Sequence, residues 1–473
     1  MSIPSYNLDY ILNCNGLAFF KNFGYFKKVN KEQIKLKVKE KLGFGICDLG
    51  GNLIFTVMGF WSLNYLTDTV GLTAALAGIT VMIGKVWDAI TDPFMGYISD
   101  RTKTRWGRRR PYLLFGAFPI IFAMWFFFTA PDIENNFLLT LWAIFALMLL
   151  NTCSTLIMIP YSSLTPDMTS DYHEMSSLNG YRFGCAVIGT IIGAAAVLPI
   201  VSIFPTAKTG FSIMAIILGS IIATSSLVTF FGTKERIAFN SESLKLGFFE
   251  TYKTVFQNIP YRILLITYAF HLMGITFLQN ILIYYTKYVY EDTELTTKAM
   301  VFLLLVAMVF IPISVLVSKK IGKKRTYQIC FVILSSACIA IFVLGHILGS
   351  NFFLGMMVYA GIGVGFSYVA PFAMVPDTIE YDAKKTGVRS EGAYYGIWTF
   401  IAKTGQSLSV FLSGIILSLG GYIAETIQST QSLFAIRIII GPLPAVIFIG
   451  AIILIQFYPL DEQNYRKIMN KES

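Results

Sequence analysis

The chain has 473 residues, of which 55% are hydrophobic and only 14% are charged. Soluble domains are nearer a quarter charged, and apolar runs, each close to the roughly 20 residues that cross a bilayer, recur here from about 42 to 457. These features exclude a soluble protein and predict an all-α, multi-pass membrane protein. The net charge of +10 does not indicate a nucleic-acid partner, because excess Lys and Arg in membrane proteins usually lie in cytoplasmic loops.

The chain begins with a polar, Lys-rich segment, 1–38, which lacks the cleavage site of a signal peptide and is interpreted as a cytoplasmic extension. About twelve spans follow, at roughly 41–66, 73–98, 111–130, 135–160, 178–204, 209–232, 259–287, 299–318, 326–347, 350–375, 391–419 and 433–457. The connectors after spans two, six, eight and ten are basic, and the opposite ones are short and poor in Lys and Arg. This bias predicts that both termini are cytoplasmic. We expect a multi-pass protein of the cytoplasmic (inner) membrane.

The two halves of the chain are related in sequence. The stretch "IPYSSLTPDMTSDYHE" (159–174) matches "APFAMVPDTIEYDAK" (370–384) in its polar and proline positions. We therefore predict a six-helix bundle at 39–232, a central connector at 233–258, a second bundle at 259–458 and a tail at 459–473. Parallel six-helix repeats are typical of secondary transporters whose site lies between the halves near the midplane.

Charged side chains inside the second span are the strongest functional signal. Lys85, Asp88 and Asp92 are spaced i, i+3 and i+7, so they share one helix face. Two neighbouring carboxylates in a low dielectric favour a shared proton or a bound cation, and Thr91 and Thr155 offer further hard oxygen ligands for an ion such as Na⁺. The alternative is a Lys85–Asp88 ion pair that only fixes helix packing.

Other polar residues predict substrate contacts and a gate. The predicted substrate-binding residues in the spans are Asp48, Asn52, Arg182, Tyr368 and Lys403. Asp48 could instead form an ionic lock to Lys403 or Arg182, and a purely structural polar contact is the alternative for Asp48 and Asn52. The G-x-x-x-D-R spacing and the basic run after span two predict a gate of ion pairs, while lipid anchoring is the alternative for the arginines. The predicted gating residues are Asp100, Arg101, Arg108 and Arg109.

Enzyme signatures are not found in the sequence. It contains no phosphate-binding loop, zinc-protease motif or nucleophile elbow. We therefore expect no enzymatic activity and no cofactor other than a coupling ion, either Na⁺ or H⁺.

Long motifs resemble those of a known family. "KVWDAITDPFMGYISDRTKTRWGRRRP", "IPYSSLTPDMTSDYHEMSSLNGYR", "EGAYYGIWTFIAK" and the closing "FYPLD" are similar to signatures of the glycoside–pentoside–hexuronide:cation symporters of the major facilitator superfamily. The resemblance runs from about 41 to 461. It implies the major facilitator fold of two six-helix bundles and a cation site around Asp88 and Asp92, with Thr91 between them and Thr155 as a hydroxyl ligand.

The resemblance also bears on the substrate. It implies that Arg182 and Lys403 face the cavity, and that Asn52 stands near a sugar-binding position of melibiose carriers. Met158 and Ser162 depart from that branch, which has an acid and a Trp there, so galactosides of the melibiose type are not implied. We expect a monomeric symporter of a sugar or glycoside, surrounded by membrane lipids. A lysophospholipid carrier, which shares "WDAITDP", is the alternative, and a non-transporting sensor is disfavoured by the intact intramembrane charges.

Overall fold

The protein, described here by a computed structural model, is seen over residues 36–169, 172–236, 255–386 and 391–460. Most of the predicted N-terminal extension and C-terminal tail, and much of the central connector, lie outside the described residues. We number the longer helices as follows: α1 Val38–Asn64, α2 Ala74–Arg101, α3 Arg110–Phe127, α4 Asn136–Ser162, α5 Tyr172–Ala195, α6 Ala207–Gly232, α7 Ile259–Val289, α8 Glu294–Ile321, α9 Lys323–Ala340, α10 His346–Ser367, α11 Ala370–Thr386, α12 Glu391–Leu419, α13 Thr430–Ile440 and α14 Pro442–Gln456.

Helices occupy all twelve predicted spans. Ten helical segments of the described chain are long and apolar enough to cross a membrane. One of them, Lys323–Lys385, holds predicted spans nine and ten, which part at Gly349, where φ is +79°. Glycine adopts this left-handed conformation without the strain that a side chain would add. Predicted span five, 178–204, is covered by α5, which begins six residues earlier and ends at Ala195, and by a short helix at Val197–Val201. The all-α membrane fold class is therefore confirmed.

Glycines let α1 pack closely within the first half of the chain. A Cβ on Gly189 of α5 would lie 2.1 Å from the backbone oxygen of Leu49, and a Cβ on Gly43 of α1 would lie 3.1 Å from the Cα of Gly232 in α6. Small residues allow such backbone contact between membrane helices. α1 is thereby held between α5 and α6, and its remaining side faces the second half.

The two halves meet most closely at one end of the molecule. We call it the Asp68 end, because α1 continues there as a π-helical turn, Tyr65–Thr69. The Cα atoms of Gly78 in α2 and Gly414 in α12 approach closely, so a Cβ on Gly414 would lie 2.3 Å from the backbone oxygen of Ala74. One apolar core runs through the first half and continues into this end of the second half.

The opposite end, where α2 leads into α3, we call the Arg-rich end. Here the second half has an apolar core of its own, which includes Tyr261, Tyr327, Val375 and Tyr394. The halves are thus joined at the Asp68 end and packed separately toward the Arg-rich end.

Candidate functional site

Two carboxylates of α2 form the centre of the candidate site. Asp88 and Asp92 lie one turn apart, and both bind the ammonium of Lys403, which comes from α12 in the other half. The Lys403 Nζ lies 2.6 Å from Asp88 Oδ2. The side chains of all three residues are between 13% and 20% exposed, so they are desolvated but not sealed from water.

Thr155 of α4 completes this group from the side opposite the ammonium. Its hydroxyl Oγ1 lies 2.9 Å from Asp88 Oδ1 and 3.0 Å from Asp92 Oδ1. A hydroxyl has one proton, so it donates to one carboxylate at a time and keeps lone pairs free. Asp88, Asp92 and Thr155 therefore bring hard oxygen atoms together next to the Lys403 ammonium, which is the chemistry that an alkali cation or a proton needs.

The set suits a monovalent ion better than a tightly held divalent metal. No group of three or more His, Cys, Asp or Glu side chains that could hold a metal ion occurs within the described residues. Two carboxylates and one hydroxyl, with Lys403 competing for the same oxygens, favour a weak and exchangeable cation.

Lys85 does not form the packing ion pair that was the alternative for this stretch. Among the described residues it has no carboxylate within 4 Å, and its Nζ lies 5.4 Å from the ring centroid of Phe55 in α1. The ammonium that neutralises Asp88 comes instead from Lys403, 318 positions after Lys85 in the sequence.

A second charged cluster joins α1, α4 and α5 within the first half. Arg182 Nε donates to Asp48 Oδ2 at 2.5 Å, and the hydroxyl of Tyr161 donates to the same oxygen at 3.1 Å. Of the two ionic partners considered for Asp48, the structure therefore shows Arg182 rather than Lys403. Asn52 donates to the backbone oxygen of Asp48 at 2.9 Å and stays on its own helix.

Two further predicted site residues lie apart from these contacts. Thr91 Oγ1 donates to the backbone oxygen of Asp88 at 3.2 Å, so its hydroxyl is turned to its own helix rather than to the carboxylates. Tyr368 lies between α10 and α11 and is 48% exposed. The structure does not bring Tyr368 to the paired carboxylates of α2.

A polar network closes the Asp68 end across the two halves. Asp68 is bound by Lys287 of α7 at 2.9 Å, by the Tyr422 hydroxyl at 2.6 Å and by the Tyr288 hydroxyl at 3.2 Å. Lys287 also contacts Glu425 at 2.5 Å. The side chain of Asp68 is only 5% exposed, so this ion pair is largely desolvated and joins the halves firmly.

Sequence reasoning placed Asp68 in the short connector "TDTVG" and missed this network. The available signal was a lone Asp at the end of one span and a lone Lys, in "YYTKYVY", at the end of a span in the other half. The two residues can be paired only if spans one and seven end on the same side of the membrane. Six spans in each half predict this, because an even number of spans returns the chain to the side on which it began.

The predicted gating residues lie at the Arg-rich end and pair within the first half. Arg108 and Arg109 both bind Asp167, at 2.6 and 2.7 Å, and Arg109 also binds Asp100 at 2.9 Å. Arg101 instead lies over the ring of Tyr97, with 3.4 Å from its Cζ to the centroid. The ion pairs therefore fix the turn between α2 and α3.

The second half repeats this arrangement with other residues. Lys323, at the start of α9, binds Asp377 of α11 at 2.6 Å. Asp167 and Asp377 are the aspartates that align in the internal repeat. Each carboxylate thus secures the turn between the second and third helices of its own half, which agrees with related halves.

The cross-half polar contacts between two described residues fall into two groups. One is the bridge from Lys403 to Asp88 and Asp92, and the other is the network around Asp68. Two helical halves that meet around buried charges near the middle define a secondary transporter.

Comparison with known proteins identifies the family. The model of the family described as MFS/sugar transport protein matches residues 43–462. The uncharacterized symporter YnaJ of Bacillus subtilis (strain 168) is 30% identical over 92% of this chain and 95% of its own length. The putative sulfoquinovose importer of Salmonella typhimurium is also 30% identical, over 93% of each chain.

Solved structures show the same fold. A bacterial homologue of the human lysosomal transporter Spinster, in an inward-facing and unoccupied conformation, superposes with a TM-score of 0.65 over 92% of this chain and 98% of its own, at 13% identity. The chain belongs to the MFS/sugar transport family, whose members in this comparison are transporters rather than enzymes. The resemblance to glycoside–pentoside–hexuronide:cation symporters is confirmed.

Proposed function

We propose that the protein couples the movement of a monovalent cation, Na⁺ or H⁺, to symport of a sugar or glycoside across the cytoplasmic membrane by alternating access. The observation that carries this proposal is the Lys403 bridge. An ammonium from one half occupies the oxygen atoms that a coupling cation would use in the other half.

Cation binding is linked to movement of the halves through this bridge. A cation that enters between Asp88, Asp92 and Thr155 replaces one positive charge by another at the same two carboxylates. Lys403 is then released, and the α2–α12 ion pair in the middle of the molecule is lost. A ligand shifts a conformational equilibrium only by its difference in affinity for the two states, and exchange with Lys403 supplies that difference.

The described arrangement corresponds to a state open toward the cytoplasm. The excess of Lys and Arg in the connectors supports a cytoplasmic Arg-rich end, with both termini on that side. The Asp68 network, which joins the halves, then lies on the outer side. The predicted gating role of Asp100, Arg101, Arg108 and Arg109 belongs to the opposite state, in which the halves meet at the Arg-rich end.

A sugar substrate is supported by the family and by the polar cluster around Asp48 in the first half. The relative from Salmonella typhimurium is named an importer of sulfoquinovose, a sugar. We assign Asp48, Asn52, Arg182 and Tyr368 to the substrate path, with Asp48 and Arg182 as a preformed pair of hydrogen-bonding groups. We expect the protein to work as a monomer.

Met158 stands where melibiose carriers have an acid, and an apolar residue there would favour a lipid substrate if it lined the passage between the halves. Its packing gives the lipid alternative no support. The Cε of this residue lies 2.2 Å from where a Cβ on Gly51 would stand, and it lines a small cavity inside the first half together with Cys47, Ile54 and Ser225. Met158 therefore packs between α4 and α1 and forms no apolar passage between the halves.

Substrate counterflow in proteoliposomes tests the proposal. Sugar exchange and uphill uptake are measured in sodium buffer, in choline buffer and with an imposed proton gradient. We expect Asp88→Asn to abolish cation-driven uptake, because it removes one of the two carboxylates that hold the ion. Asp132→Asn is the matched control, since Asp132 is an exposed carboxylate that pairs with Lys208. Cation-driven uptake that persists in Asp88→Asn at the wild-type level would refute the site.

A further inference from the structure

Lys85 is a charged side chain that the proposed cation site does not use. It lies inside α2, partly buried, with no carboxylate within 4 Å among the described residues. An unpaired charge in a membrane span costs several kcal/mol and usually marks a substrate or ion path. The ring of Phe55 offsets part of that cost by a cation–π contact.

Among the charged residues on this face of α2, Lys85 lies farthest from the Arg-rich end. At a rise of about 1.5 Å per residue, Lys85 lies roughly 16 Å along α2 from its first residue, Ala74. It lies about 4.5 Å nearer to the closed Asp68 end than Asp88 does. Phe55, over which it lies, is 46% exposed. A substrate that enters from the Arg-rich end would meet Lys85 just beyond the cation site.

The charges of the central region balance only while no cation is bound. Three carboxylates (Asp48, Asp88 and Asp92) stand with three basic groups (Lys85, Arg182 and Lys403). Arg182 is paired with Asp48, and Lys403 is paired with the two remaining aspartates. The region is therefore neutral as it stands, with Lys85 the basic group that has no direct partner among the described residues.

Entry of a monovalent cation leaves this region with one net positive charge. In a low-dielectric environment an uncompensated charge is costly, and a neutral sugar would do nothing to offset it. A substrate with one negative charge restores neutrality. Lys85 is placed to receive that charge, because it stands beside the cation site on the same face of α2 and has no carboxylate within 4 Å among the described residues; Lys403, which the cation releases, is the other basic group left without a carboxylate.

On the basis of the proposed symport, we infer that Lys85 binds the anionic group of an acidic sugar, a carboxylate or a sulfonate, and thereby determines specificity. The ammonium donates hydrogen bonds to the anion, while the cation at Asp88 and Asp92 supplies the second positive charge nearby. Substrate and cation then favour each other's binding, since each neutralises the charge that the other brings.

The inference also predicts the electrical character of transport. One monovalent cation and one singly charged sugar acid carry no net charge together. Uptake of the acidic sugar is therefore electroneutral and generates no current, whereas one-to-one cation symport of a neutral sugar moves one charge per cycle.

The experiment uses purified full-length protein and matched sugar pairs. Thermal unfolding and counterflow are measured in saturating sodium, and at acidic pH, with methyl glucuronide against methyl glucoside, methyl galacturonide against methyl galactoside, and 6-deoxy-6-sulfoglucose against glucose. We expect at least one acid to stabilise the protein and to exchange, and its neutral partner to bind at least about tenfold more weakly, as the loss of a hydrogen bond between charged groups predicts.

Variants assign the preference to Lys85. Lys85→Met should lose the preference for the acid, while its cation-dependent stabilisation remains because Asp88, Asp92 and Thr155 are intact. Lys85→Arg should retain the preference, since it keeps the charge. Lys298→Met is the matched control, because Lys298 is exposed and pairs only with Glu294 among the described residues.

The outcomes separate this inference from the proposed function. If a neutral sugar exchanges in a cation-dependent manner as well as its acidic partner, sugar symport stands and the inference about Lys85 is refuted. If an acid is preferred and Lys85→Met keeps that preference, Lys85 is not the anion-binding residue. If no sugar of either kind exchanges, the proposed function and the inference fall together.

Discussion

Replacement of Lys403 by Met tests the idea that its ammonium competes with the coupling cation. The Lys403 Nζ lies 2.6 Å from Asp88 Oδ2 and contacts Asp92 as well. At an effective dielectric constant of about 20, one such pair is worth roughly 6 kcal/mol before desolvation is subtracted. Removing one partner of a buried pair costs about 3–5 kcal/mol. We therefore expect Lys403→Met to be clearly destabilised in choline buffer.

Sodium should reverse this loss, because the cation can occupy the vacated place without displacing a lysine. A coupling free energy of only about 1.4 kcal/mol corresponds to a tenfold change in affinity. We expect the variant to bind Na⁺ at least about tenfold more tightly than the wild type, and to gain more stability from it. Under acidic conditions a proton shared by Asp88 and Asp92 should have the same effect.

The assay is thermal unfolding of purified protein over a series of sodium concentrations with choline as the balancing ion. Alkaline buffer separates sodium from proton binding, and Lys298→Met controls for the loss of a lysine. An equal sodium response in Lys403→Met and the wild type would refute the competition. A stable variant in choline would show that the bridge contributes little to folding.

Two further predictions concern the hydroxyl ligand and the closed end. Thr155→Val should weaken cation binding by about tenfold, since it removes one oxygen ligand and a hydrogen bond to the carboxylates. Thr155→Ser keeps the hydroxyl and should bind the cation as the wild type does. Thermal stability measured over a series of sodium concentrations compares the two variants. Asp68→Asn should shift the halves toward the state open at the Asp68 end, because it weakens the bonds from Lys287 and Tyr422. Distances between spin labels placed across that end should then lengthen. Unchanged distances would contradict a closing role for Asp68. The double change Asp68→Asn, Lys287→Met should shift them no further, since either change alone breaks the same ion pair.

The helical class and the closeness of Asp88 to Asp92 could be predicted from sequence because both depend on local spacing. The length of apolar runs indicates spans, and the i, i+3, i+7 spacing of Lys85, Asp88 and Asp92 places them on one helix face whatever the rest of the fold does. The pairing of these groups could not be predicted in the same way. Lys403 lies in the eleventh predicted span, and nothing in the local sequence states that it reaches α2 rather than Asp48.

The partner of Asp88 is Lys403 rather than Lys85, and this difference changes what the site predicts about function. The sequence leaves a Lys85–Asp88 ion pair open as the alternative to a cation site at the two carboxylates. In the structure Lys403 binds both carboxylates from the other half, so in the proposed mechanism ion binding opposes a contact between the halves and acts on their movement. The same difference frees Lys85 from a structural role. In the proposed mechanism, the long-range contact of Lys403 with Asp88 and Asp92 is what links a bound cation to the movement of the two halves and to a substrate of opposite charge.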